Sequence, residues 1–180
     1  RKTAKPDMEL LDEDYAAEDC LLSKKIQVLL AWFSLLVPDM KNEEEQLLDE
    51  ALMEVYRQFG ITYDNESIYA DVSKCVLKRM PVLGDLYQIL KDNPRTERIA
   101  IILNRFIHGS AQYFNQQDNV DLGNPYTVFD LSDLRNSKLQ PLAMLIVLDF
   151  VWDCIKEDCT QRKAVIIDEL WQLIGSTATK

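Results

Sequence analysis

Apolar positions recur most cleanly between residues 42 and 59. Leu47, Leu48, Ala51, Leu52, Val55, Tyr56 and Phe59 form one continuous stripe at helical spacing. Asn42 is placed to cap this helix, Glu43, Glu44 and Glu45 suit its positive end, and Gly60 suits its C-terminal cap. Residues 20–37 are apolar on most sides and stop at Pro38, which predicts a buried central helix. Leu83, Leu86, Tyr87 and Leu90 repeat at helical spacing after Pro81, and Asn93-Pro94 ends that segment. A further helix is predicted from about Thr96 to Ile107, with Ile99, Ile102, Leu103 and Phe106 inward, His108 at its negative end and Gly109-Ser110 as its stop. Residues 61–80 read as irregular, with a short helix around Tyr69–Arg79.

The pattern changes after Phe114. Residues 115–125 are rich in turn formers. Residues 126–131 (YTVFDL) carry β-branched and aromatic side chains and read as a strand. Residues 139–157 read as a helix that is apolar nearly all round and so buried between layers. Asp149 and Asp153 argue against a membrane span. Residues 163–168 (KAVIID) are a short apolar run of the kind that fills a central strand. Strand, helix, strand predicts a right-handed parallel βαβ unit. The expected fold class is mostly α with a small α/β part. The expected organisation is an entering linker over 1–19, turning helical toward Tyr15, an all-helical block over 20–114, and the α/β piece over 115–180.

Composition narrows the function classes. A chain of 180 residues supports a full core, and 47% hydrophobic residues are too many for a disordered chain. With only 5 glycines, the helical reading gains weight. Thirty acidic against 20 basic residues give a net charge of −10. That charge gives no support to stand-alone nucleic-acid binding or to an anionic membrane surface. Cysteines stand at 20, 75, 154 and 159 and read as reduced core thiols. A metal or thiol site at Cys154 and Cys159 ranks below that reading, since their spacing does not suit a zinc knuckle. The chain opens on Arg1 and closes at Lys180 soon after a strand-like run. Both ends read as cut from a longer protein.

The chemistry concentrates in Ala164-Val165-Ile166-Ile167-Asp168-Glu169. Four apolar residues followed by two carboxylates match the Walker B pattern. Ligands in open α/β sheets bind at the C-terminal ends of parallel strands. A carboxylate there can hold Mg²⁺ through water, and its neighbour can orient or deprotonate the water that attacks a γ-phosphate. Asp168 takes the first role in this reading and Glu169 the second. The competing reading makes both acids caps of a following helix. The partner motif, G-x-x-x-x-G-K-[ST], is absent from the sequence.

Five blocks, in order, resemble the conjugation ATPases of type IV secretion systems. They are Glu45–Leu52 continuing through Val55-Tyr56 to Phe59–Thr62; Met80–Tyr87 with Leu90; Gly109-Ser110 with Tyr113–Asn115 and Asn119–Leu122; Val128–Leu134; and Val165–Ile174. The resemblance covers roughly residues 20–174. It implies an all-helical subdomain inserted into a RecA-like P-loop NTPase core, between the P-loop and the Walker B strand. It implies Asp168 as the Mg²⁺-side carboxylate, Glu169 as the catalytic carboxylate and Trp171 as a packing residue. Leu170 departs from the small residue often found before that tryptophan. The implied parent binds ATP and Mg²⁺ and hydrolyses ATP to drive pilus assembly and substrate translocation. It works as a homo-oligomer with other secretion-system subunits in the bacterial cytoplasm, at the cytoplasmic face of the inner membrane, meeting the membrane only indirectly. The P-loop lysine lies outside the 180 residues on this reading, so the chain alone is expected to be inactive and to carry no cofactor. The alternative is an acidic helical protein–protein interaction module without catalysis.

Overall fold

The computed structural model describes residues 20–74, 76–117, 120, 124, 126–135, 137–157 and 162–168. The linker predicted over 1–19 lies outside them. The described residues divide into two compact units, one within 20–30 and 40–117, the other within 31–39 and 120–168. Helix α1 (Leu21–Leu36) contributes its first ten residues to the first unit and the rest to the second. The first unit further holds α2 (Asn42–Gln58), the strands β1 (Tyr69–Asp71) and β2 (Val76–Leu77), α3 (Leu83–Lys91) and α4 (Glu97–Ile107). The second holds α5 (Gln140–Glu157).

The helices follow the apolar stripes. In the first unit Leu48, Ala51, Leu52 and Val55 of α2, Leu86 and Leu90 of α3, and Ile99, Ala100, Leu103 and Phe106 of α4 are buried together. Each large side chain so buried stabilises by about 1.5–3 kcal/mol. Phe114 closes this core edge-on to Phe106, with ring centroids 5.6 Å apart. In the second unit Trp32, Phe33 and Val37 are buried, as are Leu139, Leu142, Ala143 and Met144. Full burial in α5 ends at Met144; Ile146 and Trp152 are exposed, which departs from a helix sandwiched along its whole length.

Helix ends are set by side chains and by one glycine. The N-cap of α2 is Lys41, not Asn42, which is the first helical residue. The cap works backward: Lys41 N donates to the Glu44 carboxylate at 2.9 Å. Val82 N donates likewise to Asp85 at 2.9 Å to start α3. At the other end of α2, Gly60 takes φ +68°. Gly60 N donates to Arg57 O at 2.9 Å and Ile61 N to Tyr56 O at 3.0 Å. These are the two bonds of a Schellman cap, and Ile61 is buried at 2% exposure as its apolar lock.

Three predicted elements differ. Residues 69–77 form a short antiparallel hairpin instead of a helix, with Tyr69 opposite Leu77 and Asp71 opposite Val76. Asp71 accepts from both Ser73 N (3.1 Å) and Ser73 Oγ (2.6 Å), an Asx-type turn that reverses the chain before a helix can propagate. Residues 126–131 and 163–168 carry no ladder, and no strand is found in the second unit among the described residues. Val165, Ile166 and Ile167 are exposed, Ile166 to 94%. Strand preference reflects packing on a sheet surface, and without neighbouring strands the apolar run has nothing to pair with.

Candidate functional site

The C-terminal run is anchored at its start. Lys163 Nζ donates to the carbonyls of Cys154 (2.8 Å) and Ile155 (3.2 Å), near the C-terminal end of α5 where backbone acceptors lack helical partners. The run then passes through exposed Val165–Ile167 to Asp168, whose side chain is in solvent. Glu169 lies outside the described residues. So do Trp171 and Leu170, and Cys159 of the cysteine pair; Cys154 is half-buried. An exposed carboxylate is a hard oxygen donor of the kind Mg²⁺ takes together with water and phosphate oxygens, so the donor chemistry of Asp168 fits that ion. Among the described residues no three His, Cys, Asp or Glu side chains cluster as a complete metal cage.

The Val128–Leu134 block sits against α5. Phe129 meets Phe150 edge-on, with centroids 6.0 Å apart. Asp130 accepts from Ser132 N at 2.9 Å. That backbone bond first, and the Ser132 hydroxyl second, hold the Asp130 carboxyl below the usual carboxylate range. Asp130 thus shapes the turn that starts the 3₁₀ segment Ser132–Leu134.

In the first unit the second and third blocks are brought together. Gly84 N, at the start of α3, donates to Asn115 Oδ1 at 2.7 Å, and Gln117 Nε2 donates to Met80 O at 2.6 Å. A Cβ on Gly84 would meet the Asn115 amide at 3.2–3.3 Å. The sequence marks 115–125 as turn-rich but carries no local signal that Asn115 caps a helix 31 positions earlier. Beside this clamp lies an open cavity of about 430 Å³ lined by Ile107, Ser110, Gln112, Tyr113, Asn115 and Gln116. A second, of about 190 Å³, lies between α2 and α3. His108, the only histidine, is exposed at the end of α4 and stands edge-on to Tyr87 at 6.1 Å.

A mostly helical chain with one small hairpin and these ordered blocks is VirB4-like. One solved structure to which it is similar is VirB4 of Thermoanaerobacter pseudethanolicus, matched at a TM-score of 0.75 and 30% identity over 86% of this chain. The chain spans 59% of that protein's length. No protein-family model and no curated protein matches the sequence. No helix among the described residues is long and apolar enough to cross a membrane.

Proposed function

We propose that the chain serves in an ATP-driven type IV secretion motor that powers pilus assembly and substrate transfer during conjugation. The match to VirB4 over 86% of the chain carries this reading. In it residues 20–114 are the helical subdomain and residues 115–180 belong to the RecA-like core. Asp168 holds Mg²⁺ through water, and Mg²⁺ bound there would neutralise charge on the nucleotide's phosphates. Glu169 orients the attacking water and accepts its proton. The motor works as a homo-oligomer with other secretion-system subunits at the cytoplasmic face of the inner membrane.

The glycine-lysine phosphate loop is absent from these 180 residues, so the reading predicts no ATP turnover by the chain alone. The test is turnover by a protein that carries both this chain and a P-loop, compared with its Glu169→Gln form. A loss of roughly 10²–10⁴-fold is expected for removal of a general base. Unchanged turnover would take Glu169 out of the mechanism. Turnover by the 180-residue chain alone would overturn the assignment of the phosphate loop to another segment.

A further inference from the structure

The groove between α2 and α3 has a property that the nucleotide chemistry does not use. Its floor is apolar, made by Leu47, Ala51, Ile89 and Leu90, and its rim carries Glu50 and Glu54. At about 190 Å³ it has the volume of one long side chain. Leu47 and Ile89 are only half-buried, so part of the floor faces solvent.

The helix that forms one wall is strongly acidic. It carries Glu43, Glu44, Glu45, Asp49, Glu50 and Glu54 against a single basic residue, Arg57. Three of these acids have cationic partners within the chain. Arg95 stands 3.9 Å from Glu43, Arg98 binds Glu44 at 2.8 Å, and Arg57 binds Glu54 at 2.6 Å. Among the described residues no ion pair is made by Glu45, Asp49 or Glu50. Glu50 accepts one hydrogen bond, from Gln46 Nε2 at 3.2 Å, and a carboxylate has room for several. Glu45 and Asp49 are also i,i+4 neighbours, as are Glu50 and Glu54, and like charges at that spacing repel. A cation arriving at the rim relieves that repulsion.

We infer that this groove docks a basic amphipathic helix of a partner protein. One arginine or lysine of that helix lays its aliphatic stem over Leu47 and Ile89 and brings its charged head to Glu50. Long cationic side chains are built for a surface of this kind, with an apolar stem and a polar tip. The inference is independent of the nucleotide reading, because none of its residues lies in the second unit.

The probe is a synthetic helical peptide with leucines at i, i+3, i+4 and i+7 flanked by arginines, titrated into the ¹⁵N-labelled 180-residue chain. The expected result is saturable shifts confined to the amides of residues 47–54, 89–93, 95 and 96. The same peptide with citrulline at every arginine position is expected to bind roughly tenfold more weakly, as is the arginine peptide to Glu50→Lys. Glu50 is exposed, and an unchanged thermal melt of Glu50→Lys shows that the fold is intact. If that melt shifts, the titration of Glu50→Gln decides in its place. Equal affinity for the citrulline peptide would make the groove an apolar site and overturn the basic partner. Shifts spread over all acidic segments, or none, would overturn the site. Concentration-dependent shifts of the same amides without peptide would assign the groove to a second copy of the chain instead.

Discussion

Arg98 Nη1, at the start of α4, reaches both carboxylate oxygens of Glu44, at the start of α2, at 3.0 and 2.8 Å. The same carboxylate caps α2 through Lys41 N. One side chain therefore starts a helix and ties it to another. The backbone bond from Lys41 is the largest cause holding the Glu44 carboxyl below its ordinary 4.5, with the Arg98 bond and charge adding to it against desolvation.

Replacing Glu44 with Gln is expected to destabilise the chain by about 1–2 kcal/mol at neutral pH, the scale of a charge-assisted hydrogen bond. The folded-state pKa is depressed, so the contribution is fully present above the ordinary value of 4.5 and is lost as pH falls through the depressed value. Urea melts of both forms from pH 7 to pH 3 should converge at the acid end. A gap that stays constant over that range would show that the charge of Glu44 contributes nothing.

Thr96 is buried between α3 and α4, with its hydroxyl 2.6 Å from Leu90 O and 3.0 Å from Asn93 O. Leu90 O is one of the carbonyls left over at the end of α3. Thr96→Val keeps the shape and removes the donor, and should cost about 1–3 kcal/mol. Thr96→Ser retains the donor and should recover part of that loss in the same denaturant titration.

Asn115→Ala removes the acceptor from Gly84 N and should lower stability by about 1 kcal/mol, the usual worth of a helix cap. Asn115→Asp keeps an acceptor and places a negative charge at the positive end of α3, so it should match or exceed the parent in thermal melting. Equal melting temperatures for the alanine form and the parent would show that water replaces the cap at no cost.

Gly60→Ala forces a Cβ onto a backbone at φ +68°, a conformation that costs L residues roughly 1–2 kcal/mol. Gly60→Asn should lose less, because asparagine tolerates the left-handed region. Calorimetry of the two variants gives the order directly.

The α-helices were legible because their periodicity is local. The stripe through Leu48, Leu52 and Val55 needs only four-residue spacing to show which face is buried, and those residues are buried. Caps were less legible, since Asn42 is a good capping residue by type, yet Glu44 reaches back to Lys41 instead. The hairpin at 69–77 turns on Asp71 and Ser73, a signal too short to outweigh its surroundings. Tyr126–Leu131 and Lys163–Asp168 have strand-like residues, but a ladder is a property of two segments, and neither has one here among the described residues. Asp168 stood out by its chemistry, while the joining of Gly84 to Asn115 had no local trace at all.

The grip of Lys163 on the end of α5 sets a leash length. Asp168 follows Lys163 by five positions, so even a fully stretched backbone keeps it within roughly 18 Å of the Lys163 Cα. Acylating that ammonium, or drawing it off the two carbonyls, would slacken the tether and widen the volume the acid can sweep.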